Sequence, residues 1–256
     1  MSNQNNMVRE DGVVCEAAWE KAKVKVFHLM KEKTQPLKCG VKLGQLFLDG
    51  IRNNGDRGGI AYKLAARTIA IMDGWEGKNI RSFDDIDQMI KDGSDEIADA
   101  LKATAIANII KSTTKERTSD KRLKEAMACD SSWHEQIKKA KPNIVLCAGP
   151  GLFNEVWNYL SEQEEENKRP RPHHGADGKA WGVLWEKTSK DGLEYFLHDN
   201  CVYLQFYHPS YYGKKQEEFH DLLAGSIKTV RRAFNEQKLL QETCYGGRLA
   251  WQWKKT

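Results

Sequence analysis

Nothing in this chain approaches the roughly 20 consecutive apolar residues that a membrane-spanning helix takes, so a membrane partner is not expected. The first residues, Met1-Ser-Asn-Gln-Asn-Asn-Met7, contain no basic segment followed by an apolar stretch and a cleavage site. The expected location is therefore the cytoplasm. The six cysteines, Cys15, Cys39, Cys129, Cys147, Cys201 and Cys244, form no Cys-x-x-Cys pair. That scatter argues against a zinc knuckle or a disulfide scaffold and leaves reduced thiols. A formal net charge of +4 is too small to diagnose a nucleic-acid partner by itself, and no internal repeat is visible.

What the chain does have is 256 residues at 40% hydrophobic composition, enough to bury one substantial core. A single domain, 1–256, is expected, with an insertion at 161–198 and a short tail at 241–256. Charge is local rather than global. Lys168-Arg169-Pro-Arg171-Pro-His-His174, and Lys254-Lys255 beside Trp251 and Trp253, set basic side chains near aromatic or imidazole rings. Such clusters suit phosphates and bases; a solvated loop and a frayed tail are the ordinary alternatives.

Ile144-Val145-Leu146-Cys147 is short, apolar and partly β-branched, which predicts a buried strand. Gly149-Pro150-Gly151 then permits a sharp turn into a helix near Leu152. Val202 to Phe206 reads as a second such strand, delivering His208 to a proline-stiffened loop. A first strand is predicted at Val24–Met30, after an amphipathic helix at Gly12–Lys21, and another at Ala103–Asn108. Helices are predicted at Ile60–Met72, stopped by Asp73-Gly74, around Asp85–Lys91, from Ser119 to Ala140, at Leu152–Leu160 and at Gln216–Leu240. Trp181–Lys187 and Leu193–His198 read as a β-hairpin around Ser189–Gly192. Strands alternating with helices imply parallel pairing with crossovers on both faces. The expected fold class is α/β, a three-layer α/β/α sandwich with a central, mainly parallel sheet of about four strands plus a β-hairpin insertion.

Ligands in open α/β sheets collect at strand carboxyl ends, and four segments place chemistry there: Val26-Phe-His-Leu-Met-Lys-Glu32 with Gly44-Gln-Leu-Phe47 downstream, Ala105-Ile-Ala-Asn-Ile-Ile-Lys111, Pro142 to Gly149, and His208-Pro209-Ser210. In their order on alternating strands these resemble the uracil-DNA glycosylase superfamily, as a divergent branch. The resemblance covers most of Val24 to Leu240. It implies that Glu32 orients the attacking water, Asn108 pairs with the edge of an everted pyrimidine, Phe47 stacks on its ring, and His208 donates a hydrogen bond to the departing base. Pro209, Ser210 and Tyr211, with Lys168, Arg169 and Arg171, would meet the DNA.

The chemistry suits these residue types. Cleaving an N-glycosidic bond builds positive charge on the sugar and negative charge on the base, and both need preorganised partners. A carboxylate serves the first and an imidazole the second. An amide offers a donor and an acceptor on adjacent atoms. Each has an ordinary alternative: an exposed glutamate between Lys31 and Lys33, a backbone-capping asparagine, a core phenylalanine, and a turn histidine. Asp49 and His28 are weaker substitutes for Glu32.

The first motif lacks the family's Gly-x-x-Pro-Gly. Ser112 stands where iron-sulfur members carry a cysteine, so no cofactor is expected. His173, His174 and Asp177 are close in sequence, but adjacent histidines usually point apart, and no metal is expected. No aromatic occupies Lys31 to Pro36, where uracil-selective members block C5 of the pyrimidine, which leaves room for a C5-modified cytosine of the kind found in phage DNA.

The expectation is a monofunctional DNA glycosylase that releases uracil or such a modified base and leaves an abasic site, in base-excision repair or anti-phage defence. DNA is its partner, and no obligatory protein partner is implied. The alternatives are an inactive nucleic-acid-binding module of the same fold and a hydrolase of free nucleosides.

Overall fold

The computed structural model describes residues 11–33, 43–54, 59–113, 119–166, 186–188, 192–209 and 215–246. Along the chain run β1 (Gly12–Val13), α1 (Glu16–Lys21), β2 (Val26–Lys33), α2 (Leu43–Asn54), α3 (Ile60–Glu76), α4 (Phe83–Lys91), α5 (Asp95–Lys102) and β3 (Thr104–Thr113). There follow α6 (Asp120–Cys129), α7 (Ser132–Ala140), β4 (Ile144–Ala148), α8 (Leu152–Glu166), β5 (Glu186–Lys187), β6 (Glu194–His198), β7 (Cys201–Phe206) and α9 (Gln216–Gly246).

The described strands form one sheet in the order β1-β3-β2-β4-β7-β6-β5. Its centre, β3-β2-β4-β7, is parallel, and β1, β6 and β5 join antiparallel at the two margins. The central strands are apolar on both faces because helices cover both. Phe27, Leu29, Ala107, Val145 and Cys147 pack against Leu123, Trp133, Phe153 and Val156 of α6, α7 and α8. Their neighbours in sequence point the opposite way: Val26, Leu146 and Leu204 meet Ile71, Leu223 and Ile227 of α3 and α9, while Met30 and Ile106 meet Leu64, Ile69 and Leu101 of α3 and α5. The architecture is a three-layer α/β/α sandwich.

Topology explains which helices lie where. From β2 the chain steps to β3 on one side, then crosses back over β2 to reach β4 on the other. Two right-handed crossovers in opposite directions put their helices on opposite faces. Thus α2 to α5 cover one face and α6 to α8 the other. Adjacent strands β2 and β4 consequently send the chain away in opposite directions, which opens a crevice at their carboxyl ends.

Several boundaries differ from the sequence reading. Gly12–Val13 is not helical but pairs with Ile106 and Ala105 of β3, a pairing that suits β-branched Val13; the helix begins only at Glu16. Asp73-Gly74 does not stop α3. Buried Asp73 is satisfied by Arg81, whose Nε and Nη2 donate to its two oxygens at 2.8 and 2.9 Å, and the helix ends at Gly77, in the left-handed region at φ +76. The 119–140 segment is two helices broken at Asp130-Ser131, and Ser119 caps the first, its Oγ accepting from the Arg122 amide at 3.3 Å. Helix α8 runs on through the acidic segment to Glu166 and α9 to Gly246, so 161–166 and 241–246 are helical. The hairpin pairing of β5 with β6 is present, and β6 continues the main sheet beside β7.

Gly74 marks the closest approach of α3 to α9. A Cβ there would lie 2.3 Å from Cγ2 of Ile227, a fully buried side chain. Alanine in a helix interior gains about 1 kcal/mol over glycine, whereas overpacking costs about 1–3 kcal/mol. At 2.3 Å the clash wins. Gly74→Ala is expected to lose about 1–2 kcal/mol, read from the urea unfolding midpoint.

No helix among the described residues is long and apolar enough to cross a membrane, and no group of three or more His, Cys, Asp or Glu among them is placed to hold a metal ion. Among the described cysteines, Cys147 and Cys201 are buried free thiols, and burial pushes both well above the usual thiol range.

Candidate functional site at the carboxyl edge

Parallel register aligns one residue from each central strand in a row across the sheet: Asn108, Met30, Ala148 and Phe206. Beyond this row β4 and β7 end while β2 and β3 continue. The Gly149 amide still bonds the Phe206 carbonyl at 3.0 Å, and the next residues are Tyr207 and His208. On the other side of the crevice Glu32 stands opposite Ile110, two residues past Met30. Three strand spacings of about 4.8 Å separate Asn108 from Phe206, or ~14 Å between backbones. Met30 and Ala148, between them, are buried in the core.

Asn108 is 1% exposed. Its backbone amide donates to Asp11 Oδ2 at 3.0 Å, so β1 and its flank complete the strand's hydrogen bonding. The side chain does not cap anything. Both Oδ1 and Nδ2 are buried without a partner among the described residues, an arrangement rare in native proteins and costing about 1–3 kcal/mol per unsatisfied group.

At the far end of the row, Arg67 of α3 lies over the Phe206 ring, 4.5 Å from its centroid. Its Nη1 donates to the Tyr207 carbonyl at 2.9 Å, tying down the segment that leads to His208. Its Nη2 is buried and unpartnered. Between the ends, His28 of β2 is fully buried, with Nε2 2.9 Å from the Thr68 hydroxyl. That hydroxyl already donates to the Leu64 carbonyl at 2.9 Å, so it accepts from His28, whose proton is on Nε2 and whose Nδ1 is a bare, unpartnered acceptor.

Burial, and secondarily the charge of Arg67, pulls His28 down to about 3. A neutral, buried His28 is no substitute for Glu32 as water activator, and Asp49 is engaged by Gln45 at 2.7 Å on α2. His28 has a consequence for stability. The unfolded chain takes its proton near pH 6.5 and the folded one only near pH 3. Stability from this group is complete above 6.5 and is lost as pH falls from 6.5 towards 3. Between pH 7 and 5 that loss is about 2 kcal/mol. His28→Leu is expected to reduce the pH dependence of the urea midpoint by that amount; an unchanged dependence contradicts it.

Phe47 lies on α2, half-buried against the cluster that contains Met30 and Ala148, on the Asn108 face of the sheet. That packing is the core position considered for it. Pro209 is buried and His208 half-buried. Ser210, Tyr211, Lys168, Arg169 and Arg171 lie outside the described residues, as do His173, His174 and Asp177. For Glu32 the backbone register is what places it at this edge.

A small cavity of about 70 Å³ opens between the first turns of α3 and α9, bordered by Tyr62, Lys63, Arg67, Phe206 and Phe219. It holds a ring substituent or a few waters rather than a nucleotide. A larger cavity, about 710 Å³, lies at the opposite edge beside Lys141, Asn143, Asp199 and Cys201. Its size suits a ligand, but its unusual backbone has local causes. Asp199 and Asn200, both at positive φ, form the tight turn joining β6 to β7, and Lys141 ends α7. None of the unpartnered buried side-chain atoms belongs to a residue lining it. The carboxyl edge, with Asn108 and Arg67 at the two ends of its row, is the better candidate.

Sequence reasoning missed Arg67. The signal was a single cation inside Leu64-Ala-Ala-Arg-Thr-Ile-Ala70, three residues after Leu64 and so on its face of the helix. Comparison of the chain with family models, with curated proteins and with solved structures finds no match; the reading of the site rests on its own residues.

Proposed function

We propose that this protein is a monofunctional DNA glycosylase of the type suggested by its resemblance to the uracil-DNA glycosylase superfamily. In this reading a pyrimidine, uracil or a C5-modified cytosine, is turned out of DNA into the crevice between β2 and β4 and its N-glycosidic bond is hydrolysed. One observation carries the reading: the Asn108 amide, buried with both polar atoms unpaired at the carboxyl edge. A donor beside an acceptor, buried at this edge, matches the edge of a pyrimidine base. The folded protein bears the desolvation cost in advance, and the base returns it on binding.

The other roles follow from the row. Glu32, beyond Met30, orients water towards the sugar and faces its developing positive charge. His208, held through Arg67 and Tyr207, donates to the departing base. Phe47 stacks on the ring from the α2 side. Everting the base exposes it to this edge at the cost of a few kcal/mol of lost stacking, offset by contacts of the His208-Pro209-Ser210 segment with the strand.

The test is incubation, without added metal, with single- and double-stranded oligonucleotides carrying uracil or C5-modified cytosines, followed by alkali. Strand breaks at the modified position are the expected result. Release from free nucleosides but from no polynucleotide would instead establish a nucleoside hydrolase, and binding without breaks an inactive module.

A further inference from the structure

A buried cation without an anion is expensive. Arg67 is 6% exposed, no carboxylate pairs with it among the described residues, and its neighbours His28 and Phe206 are a neutral imidazole and an aromatic face. Taking an ion out of water costs several kcal/mol unless a counter-charge repays it. Here one nitrogen donates to the Tyr207 carbonyl and another, Nη2, has no partner among the described residues. Burial pulls the group below its ordinary range, yet guanidinium remains charged at neutral pH. The 70 Å³ cavity alongside is lined by Tyr62, Phe206 and Phe219 together with Lys63, His220 and Asp87, whose carboxylate is paired with Lys91.

We propose that Arg67 is an electrostatic positioning residue for base release: its charge stabilises the negative charge of the departing pyrimidine, and its bond to Tyr207 holds His208 in place to share that load. The inference rests on the glycosylase reading above. In the step concerned, the bond between the sugar's anomeric carbon and the base nitrogen breaks and its electron pair leaves with the base. Water adds its oxygen to that carbon and gives its proton to Glu32, and the base anion takes up a proton on release. Water is the only co-reactant. Arg67 acts where the negative charge appears, at the Phe206 end of the row, while Asn108 grips the opposite edge of the ring.

The test compares single-turnover release of uracil and of 5-fluorouracil from otherwise identical DNA by the full-length protein and by Arg67→Gln and Arg67→Lys. Fluorine withdraws electrons and makes the base a better leaving group, so it needs the cation less. Arg67→Gln is expected to slow uracil release by ~10²–10³ and 5-fluorouracil release by at least tenfold less. Arg67→Lys should recover most of the uracil rate. Equal slowing of both bases by Arg67→Gln is what a merely structural role produces, and it overturns the proposal while leaving the glycosylase reading intact. Should Arg67→Gln not fold, the same comparison is made with Arg67→Met, which also removes the charge and for which equal slowing of the two bases overturns the assignment. A wild-type protein that releases neither base overturns both.

Discussion

Asn108→Leu is expected to be about 1–3 kcal/mol more stable than the parent protein and to release base ~10²–10³ times more slowly. The two effects share a cause. Leucine has nearly the shape of asparagine but no polar atoms, so it removes a donor and an acceptor that the fold buries without partners. The bond that Asn108 makes to Asp11 comes from its main chain and survives the change. Asn108→Ala removes the same groups but also leaves a void, so its gain in stability should be smaller and its loss of activity the same. Urea midpoints and single-turnover rates decide the matter. A destabilised Asn108→Leu would mean that the amide is a structural group after all, and undiminished base release would remove it from the site.

His208→Ala is expected to slow base release by ~10²–10³ with little effect on the urea midpoint. His208 is half-buried, beyond the last hydrogen-bonded residue of β7, so truncating it removes little core packing. Arg67 anchors the preceding carbonyl and Pro209 behind it is buried. The loss should therefore fall on the rate of the chemical step rather than on affinity for DNA. Unaltered release would return His208 to the role of a turn residue.

The middle of the fold was legible because its strands are buried on both faces. Ile144–Cys147 and Val202–Phe206 are short apolar runs with few other readings, and helical segments between them imposed parallel pairing. What escaped was decided by contacts distant in sequence. Val13 is drawn into a strand by β3, Asp73 stays helical because Arg81 reaches it, and the partnership of β6 with β7 turns a surface hairpin into part of the main sheet.

The site divides in the same way. A strand-end asparagine and a histidine before proline can be found by eye, as can the order of the segments that carry them. That the Asn108 amide has no partner cannot, since it depends on which groups approach after folding. Arg67 was overlooked for a related reason: within an alanine-rich helix an arginine reads as a solvated residue until the helix is seen pressed against a sheet, with its charge buried over Phe206.

The most direct measurement is the nuclear magnetic resonance signal of the Asn108 side-chain amide, identified by its absence in Asn108→Leu. It would be followed as DNA carrying a non-hydrolysable 2′-fluorinated deoxyuridine, or the corresponding C5-modified cytidine, is added. The account expects the amide protons to move downfield with one of these oligonucleotides and to stay in place with unmodified DNA of the same sequence. A signal that no oligonucleotide shifts, in a protein that nevertheless binds the DNA, would contradict the claim that this buried amide receives an everted base.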